Sequence, residues 1–425
     1  MSARAAFSAL GLLVLLACGV PASATQAPWS DAERWLLRSL SILPSPSLPV
    51  PPSPSNALAD SPAAAALGEI LFFDTRLSAN GEVSCATCHR PTRAFADSTA
   101  RSQGLSSTAR NAPTVLGGAY QRWLYWDGRR DSLWSQALTP IEHPDEQGLG
   151  RVAVLALVAQ DTTYRDAWRR LFDEAPLDVS DMQRYPRHAT PRGDAPALAA
   201  WRRMAPADRE QVDAAFARVG KAIAAYERTL SPAPSRFDRY VDAVLAGDET
   251  GGEYLDDQER LGLRLFIGER AQCTQCHNGP MLSNGGFHNI GLVAQTATAT
   301  TADLGRAAAV REVQEDPFNC LGPHSDAPAE ACAELRFMKQ RGAELLGAFR
   351  VPTLRNVART APYMHDGRFA DLPTVLAHYV AAPTQVLGHQ ELDPLRLSAE
   401  ELAALIAFLR ALSGEELASG VASGT

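Results

Sequence analysis

The feature that most constrains this chain is the pentapeptide Cys-x-x-Cys-His, which occurs twice, at residues 85–89 and 273–277. Its two thiols are spaced to bond the two vinyl groups of one haem, and the histidine that follows reaches the iron. A zinc site or a redox dithiol would use the same cysteine pair, so a single copy would leave those alternatives open. Two copies in a chain with only seven cysteines predict two covalently bound c-type haems. The predicted attachment and proximal-ligand residues are Cys85, Cys88, His89, Cys273, Cys276 and His277.

Each motif follows a similar stretch of chain. LGEILFF begins at Leu67 and LGLRLFI begins at Leu261, and both have apolar residues at helical spacing before a short loop and the motif. This internal repeat predicts two tandem cytochrome c-like domains in a mostly α fold, because strand-like alternation is rare. The predicted units are a Pro/Ser-rich N-terminal segment (25–60), an N-terminal haem domain (61–248) and a C-terminal haem domain (249–415).

The first 24 residues are typical of a secretory signal peptide. Arg4 precedes an apolar run that is too short to span a bilayer, and an Ala-Ser-Ala cleavage site follows at residues 22–24. The expected location is the periplasm. An alternative is a lipoprotein acylated at Cys18, which would place the mature chain against a membrane. The net charge of −8 argues against a nucleic-acid-binding protein.

Two cysteines remain, Cys320 and Cys332. In an exported protein they are predicted to form a disulfide, which would stabilise the fold by about 3 kcal/mol through loop closure. A small metal site that includes His324 is the alternative.

The face of the first haem opposite His89 has no obvious local ligand, because residues 90–141 contain no His, Met or Lys. His143 is the next candidate in the sequence. An open iron would allow peroxide to bind, whereas two strong ligands would indicate a plain electron carrier.

Several segments resemble the bacterial di-haem cytochrome c peroxidases and MauG-like enzymes. The similarity covers nearly all of the expected mature chain. It is carried by RNAPT (110–114), WDGR (126–129), Gln136, Pro140, Glu146, GAFRVPTLRN (347–356) and TAPYMHDG (360–367).

This resemblance implies roles at the first haem. Glu146 would be the distal carboxylate that moves a proton during peroxide cleavage. Gln136 and Pro140 would line the same pocket, and Trp126 would be the electron bridge between the haems. The alternatives are a solvated loop carboxylate for Glu146 and ordinary core packing for Trp126.

The resemblance also implies ligands elsewhere. Asn111, with the carbonyl oxygens of Thr360 and Pro362, matches the positions of a structural calcium ion. Tyr379 stands where the peroxidases have a methionine ligand to the second iron and the MauG-like enzymes have a tyrosine. A phenolate stabilises ferric and higher iron states, whereas a thioether favours reduced iron. The alternative is a core tyrosine, with His378 or Met364 as the ligand.

Within the family, WSDAERWLLRSL, DSLWSQAL and the Cys320/Cys332 loop resemble the MbnH branch, the di-haem enzymes of methanobactin operons. This likeness implies that hydrogen peroxide raises the two haems to a high-valent state two electrons above ferric. That state would oxidise a tryptophan of a secreted copper-binding partner, an MbnP-like protein, to kynurenine. The alternative is a cytochrome c peroxidase that takes electrons from a small cytochrome or copper protein. Ala271 replaces the surface tryptophan that MauG uses for hole transfer. The candidates for another outward path are Trp123, Trp134, Trp168 and Trp201.

Overall fold

The computed structural model describes residues 28–43, 48–292, 302–384, 387–389 and 391–414. The predicted signal peptide and Cys18 lie outside these residues. The described chain is mostly α-helical, as predicted. Its helices are α1 (Asp31–Leu40), α2 (Pro62–Phe73), α3 (Cys85–Cys88), α4 (Leu133–Glu142), α5 (Arg151–Gln160), α6 (Thr162–Phe172), α7 (Ala195–Arg203), α8 (Pro206–Glu227), α9 (Arg236–Leu245), α10 (Asp257–Ile267), α11 (Arg306–Glu315), α12 (Ala333–Phe337), α13 (Leu372–Ala381) and α14 (Ala399–Ala411). Short 3₁₀ turns occur at Thr75–Leu77, Pro91–Arg93, Gly118–Tyr120, Gly251–Glu253, Cys273–Gln275, Ala329–Ala331, Ala343–Leu345 and Val357–Arg359. No helix in these ranges is long and apolar enough to cross a membrane.

Two hydrophobic cores divide the molecule. The first lies between α2, α4, α5, α6 and α8, and the second between α1, α9, α10, α13 and α14. Helix α9 contributes Phe237, Tyr240 and Val241 to the second core. The division between the cores therefore falls before α9, earlier than the boundary near residue 248 that the glycine-rich sequence suggests. The turn at Gly251–Glu253 packs onto α9 and lies within the second half.

The repeated LGxxLF sequence corresponds to a close helix crossing that occurs once in each half of the molecule. A Cβ atom added to Gly68 in α2 would lie 1.9 Å from the carbonyl oxygen of Ala222 in α8. A Cβ added to Gly262 in α10 would lie 2.0 Å from the carbonyl oxygen of Ala404 in α14. Only glycine permits such close contact between helix backbones. The equivalent glycine in each half therefore allows the helix before the motif to contact the backbone of the helix that it crosses, α8 in the first core and α14 in the second.

The N-terminal segment packs on the second half. The Nε1 of Trp29 donates to the hydroxyl of Tyr240 at 2.8 Å, and Nη1 of Arg34 donates to the carbonyl of Val244 at 2.7 Å. A capping box between Ser30 and Glu33 begins α1, whose apolar face enters the second core. The segment that the sequence marks as Pro/Ser-rich thus includes a helix that closes the C-terminal core.

A two-stranded sheet and the loop of Trp126 connect the two halves. Strands β1 (Phe287–His288) and β2 (Phe349–Arg350) pair antiparallel, with Phe287 opposite Arg350. The amide of Arg350 donates to the carbonyl oxygen of Trp126 at 2.7 Å. The Trp126 loop of the first half is therefore bonded to a strand of the second half.

Cys320 and Cys332 form a disulfide, as the sequence predicts. This pairing replaces the alternative of a metal site with His324, because both thiols are used in the bond. The His324 ring instead lies 5.4 Å from that of Phe318, which packs into the first core.

Candidate active site

The first motif forms a single helical turn. Cys85 and Cys88 lie on α3, and His89 ends it. The Nδ1 of His89 lies 3.3 Å from the carbonyl oxygen of Phe95, which fixes the ring and leaves Nε2 available as a ligand. Burial lowers the pKa of His89, so the imidazole is held neutral, the form that binds a metal.

Neither cysteine of this motif is part of a disulfide. Burial, with the charges of Asp97 and Glu146 nearby, raises the pKa of Cys88 to about 12. Burial raises the pKa of Cys85 as well, with further contributions from the charges of Glu227 and Glu146. A redox dithiol requires a thiolate near neutral pH. The raised pKa values of both thiols therefore argue against a redox dithiol and are compatible with thiols that form covalent bonds to haem.

Glu146 lies beside the first motif. Its charge contributes to the raised pKa of Cys85, of Cys88 and of Tyr125, so its carboxylate lies within electrostatic range of all three side chains. Burial raises the pKa of Glu146, and this outweighs the opposing charges of His143 and Arg129. Nδ1 of His143 lies 3.7 Å from Oε1 of Glu146 and accepts a hydrogen bond from the amide of Asp145 at 3.3 Å. A carboxyl with a raised pKa in a pocket is suited to proton transfer.

Helix α4 carries Gln136 and Pro140, the two residues predicted to line the site of the first haem. These residues are one turn apart on a half-buried face, while Trp134, Ala137 and Ile141 enter the first core. Pro140 has no N–H, so the carbonyl oxygen of Gln136 lacks its usual helical partner. Glu146 lies within electrostatic range of the first motif, and the roles of Gln136 and Pro140 stay predictions.

Trp126 is buried in a rigid loop between the two halves. Its Nε1 donates to the carbonyl oxygen of Asn111 at 2.9 Å. The next residue, Asp127, pairs with Arg110 at 2.5 Å and with Arg129 at 3.1 Å. The indole is therefore held at the junction of the two halves, and its role as an electron bridge stays a prediction.

The second motif has the same design as the first. Helix α10 leads into the turn Cys273–Gln275, and Nδ1 of His277 lies 3.0 Å from the carbonyl oxygen of Leu282. Burial lowers the pKa of His277 to about 4, so this imidazole is also neutral with its Nε2 available.

Tyr379 is on α13, with its buried phenol within electrostatic range of the second cysteine pair. Burial, followed by the influence of Cys273 and Cys276, raises the pKa of its phenol. Such a phenol remains protonated unless a cation such as ferric iron binds its oxygen. Its neighbour His378 is engaged elsewhere, because its Nε2 lies 2.6 Å from the carbonyl oxygen of Ile290. His378 is therefore bonded elsewhere, and Tyr379 as the ligand opposite His277 stays a prediction.

Several buried polar groups near the motifs fit a bound haem. The guanidinium of Arg350 is 6% exposed and has no carboxylate within ion-pair distance in the described part of the chain. Burial lowers its pKa to about 10, so it remains a cation. Haem carries two anionic propionates, the partners that a buried guanidinium needs. Oε2 of the buried Glu227, whose charge contributes to the raised pKa of Cys85, has no partner among the described residues.

The segment that carries Asn111 lies against the segment that carries Thr360 and Pro362. The amide of Asn111 donates to the carbonyl oxygen of His365 at 2.8 Å. Its side-chain Nδ2 donates to the carbonyl oxygen of Thr99 at 2.8 Å, so Oδ1 is the atom that would ligate a cation. The peptide bond between Ala361 and Pro362 is cis. The calcium ion itself stays a prediction.

The other candidate tryptophans differ in their surroundings. Trp134, Trp168 and Trp201 lie in the first core. Trp123 packs in a small separate cluster, with the guanidinium of Arg306 4.1 Å from its ring centroid. Sequence reasoning missed Trp35, whose side chain on α1 is 72% exposed. It also missed Tyr125, for which adjacency to WDGR was the only available signal.

Comparisons with known proteins agree with this arrangement. The profile of the family described as di-haem cytochrome c peroxidase matches residues 62–246. Methylamine utilization protein MauG of Methylorubrum extorquens is 30% identical over 412 residues, which cover 96% of this chain and 93% of that protein. This chain belongs to the di-haem cytochrome c peroxidase and MauG family. It is accordingly a haem oxidoreductase of a family that uses two haems.

Other members of this family support the assignment. Cytochrome-c peroxidase IdrP1 of a Pseudomonas species is 31% identical, covering 96% of this chain and 92% of that protein. A MauG-like protein associated with microbial copper homeostasis, of solved structure, is 26% identical with a TM-score of 0.59 and covers 88% of this chain and 96% of that one. The di-haem peroxidase BthA of Burkholderia thailandensis has the same fold, with 22% identity, a TM-score of 0.61 and coverage of 87% and 88%.

Proposed function

We propose that this member of the di-haem peroxidase and MauG family uses hydrogen peroxide to oxidise a tryptophan on a partner protein. Two haems, attached at residues 85–89 and 273–277, would take up the two oxidising equivalents of peroxide and pass them outward. The chain would act in the periplasm after removal of residues 1–24.

The observation that carries this proposal is the position of Tyr379. Its buried phenol lies within electrostatic range of Cys273 and Cys276, at the position where a methionine would make a high-potential electron-entry haem. His378 is tied to Ile290, which supports Tyr379 as the ligand. A tyrosine ligand favours oxidised iron, which suits an enzyme that stores oxidising equivalents better than one that receives electrons.

Glu146 and its neighbours would handle the proton chemistry of the first site. A carboxyl with a raised pKa can take a proton from one peroxide oxygen and return it to the other. Gln136 and Pro140 would shape the pocket, and α4 holds both of them in place.

Trp126 would connect the two haem sites. It is bonded on one side to the Asn111 segment and on the other to strand β2. Asn111, Thr360 and Pro362 would hold a calcium ion that fixes this junction.

The partner that we infer is a secreted copper-binding protein of the MbnP type, with its tryptophan converted to kynurenine. This conversion would consume two molecules of hydrogen peroxide to give N-formylkynurenine and two of water, and hydrolysis would then release the formyl carbon as formate. The similarity to a MauG-like protein associated with microbial copper homeostasis supports this choice. The N-terminal and disulfide-loop segments that resemble the MbnH branch support it further.

A cytochrome c peroxidase that draws electrons from a small donor protein is the second candidate. Relatives with this name match as well as those named MauG, at 31% and 30% identity, so the names do not decide between the two functions. The two candidates differ in whether one haem must be reduced before peroxide reacts.

The deciding experiment mixes the diferric holoprotein with stoichiometric hydrogen peroxide in a stopped-flow spectrometer. The proposed function predicts a fast change to a long-lived oxidised species without prior reduction. A co-encoded copper-binding protein, incubated with enzyme and peroxide, should then show tryptophan oxidation by mass spectrometry. Tyr120→Phe is a suitable control, because its hydroxyl bonds the carbonyl oxygen of Leu48 away from both motifs. If the diferric protein is inert and reacts only when half-reduced, the chain is a peroxidase.

A further inference from the structure

Tyr125 immediately precedes Trp126 and has no role in the function proposed above. Its hydroxyl is buried and has no hydrogen-bond partner among the described residues. Most buried polar side chains do have a partner, because leaving one unpaired is destabilising. The unpaired hydroxyl therefore requires an explanation.

The turn that carries Tyr125 is bonded to α4, because Nε of Arg130 donates to Oγ1 of Thr139 at 2.9 Å. The surroundings of the phenol agree with a position near Gln136 and Glu146. Burial is the main cause of its raised pKa, and the charge of Glu146 raises the pKa further. The side chain of Gln136 lies close enough to lower the pKa, although the two groups do not meet hydrogen-bond geometry. The hydroxyl is thus buried close to Gln136 and within electrostatic range of Glu146, the residues predicted to line the peroxide site.

The protein holds this ring firmly. The guanidinium of Arg129 lies 3.6 Å from the ring centroid, and Asp127 holds that guanidinium at 3.1 Å. Nε of Arg350 donates to the carbonyl oxygen of Tyr125 at 3.2 Å.

The backbone at Tyr125 is also unusual. Its φ is +66°, a left-handed conformation that bulky residues rarely adopt. The turn is closed by the amide of Leu124, which donates to the carbonyl oxygen of Arg130 at 2.8 Å. Strained backbone of this kind is found where the surrounding structure fixes a side chain for a functional purpose.

We propose that the Tyr125 hydroxyl donates a hydrogen bond to peroxide bound at the first site, and that Tyr125 is a substrate-binding residue. The inference rests on the proposed peroxide chemistry. In this arrangement the two residues have different tasks. Ionised Glu146 can only accept a hydrogen bond or a proton from peroxide, whereas the Tyr125 phenol donates a hydrogen bond and orients the peroxide. Because its pKa is raised, the phenol stays protonated over the whole range in which Glu146 titrates.

The test is Tyr125→Phe in the holoprotein, which removes the hydroxyl and keeps the ring under Arg129. Carbon monoxide on the reduced protein serves as the probe, because a donor near its oxygen lowers the C–O stretching frequency seen by infrared spectroscopy. We expect the stretch to move to higher frequency in Tyr125→Phe and the peroxide reaction to slow by about tenfold, the effect of one lost hydrogen bond. Tyr120→Phe should match the wild type in both measurements. Far-UV circular dichroism and haem absorption check that each variant is folded and loaded.

An unchanged C–O stretch in Tyr125→Phe would overturn the proposal, whatever the reaction rate. A shifted stretch with an unchanged peroxide rate would also overturn it, because the hydroxyl would then reach the ligand site without positioning peroxide. The infrared measurement needs neither peroxide nor a protein partner. Failure to oxidise a partner would therefore count against the proposed function and leave this result intact.

Discussion

The buried pair of Asp238 and Arg355 gives the sharpest stability prediction. Asp238 is fully buried and accepts hydrogen bonds from Nη1 of Arg355 at 2.6 Å and from Ser235 at 2.6 and 2.7 Å. It also accepts from the hydroxyl of Ser41 at 3.1 Å and the amide of Ile42 at 3.0 Å. One carboxylate therefore joins α9, the end of α1 and the segment that follows β2.

Substitution Asp238→Ala would leave the Arg355 guanidinium buried with only carbonyl partners. Removing one member of a buried ion pair lowers the free energy of unfolding by about 3–5 kcal/mol. For a unit the size of the C-terminal half, this corresponds to a fall in Tm of about 6–20 °C. Arg355 also donates to the carbonyl oxygen of Pro280 at 2.9 Å, in the loop that holds His277. The second haem site should therefore loosen together with its core.

Differential scanning calorimetry of the holoprotein measures this change. The matched control is Glu315→Ala, which removes an exposed pair with Arg311 on one face of α11 and should lower the free energy of unfolding by less than about 0.5 kcal/mol. Equal Tm values for the two variants would refute the reasoning.

The pH dependence offers an independent check of the same pair. Burial alone would raise the pKa of Asp238, but Arg355 and Ser235 outweigh it and hold the pKa below its ordinary value. The stabilisation is therefore complete above the unfolded pKa of about 3.9 and is lost as the pH falls through the lower folded pKa. The difference in Tm between wild type and Asp238→Ala should shrink only below about pH 4.

Three further predictions follow from the site and the helix crossings. Glu146→Gln should slow the peroxide reaction by about 10²–10⁴-fold, because the carboxylate that moves the proton is removed. In the wild type, the rate should fall as the pH drops through the pKa of Glu146, which is raised above its ordinary value of 4.5. A stopped-flow pH series measures both effects. Tyr379→Met should raise the midpoint potential of the second haem by a fraction of the roughly 0.8 V range that axial ligands span, measured by spectroelectrochemical titration; an unchanged potential would mean that Tyr379 is not a ligand. Gly68→Ala should lower the free energy of unfolding by about 1–3 kcal/mol, because the new Cβ would overlap the carbonyl of Ala222. Gly150→Ala is the control, because a Cβ there would lie 3.4 Å from its nearest neighbouring atom and should be tolerated in the same calorimetric assay.

The catalytic role of Glu146 could be predicted from the sequence only through the family resemblance. Glu146 by itself reads as a solvated loop carboxylate, and it is the fold that places it beside Cys85 and Cys88. The helix at residues 31–40 lies in a segment that reads as Pro/Ser-rich lead-in. Its assignment to the second core depends on contacts between Trp29 and Tyr240, which are 211 positions apart. No local pattern encodes such a contact.

The sequence by itself determined the features that are local in the chain. These include the two haem-attachment motifs, the helix before each of them and the glycine of the repeated LGxxLF pattern, since spacing along a helix is set by neighbouring residues. The tertiary structure decided which half α9 joins, that His378 is bonded away while the Tyr379 phenol is buried within electrostatic range of the second motif, and that the Tyr125 hydroxyl is buried within electrostatic range of Glu146. These features depend on the long-range packing of two cores and on the burial of individual side chains. Burial is set by the folded surroundings of a side chain and not by its position in the sequence.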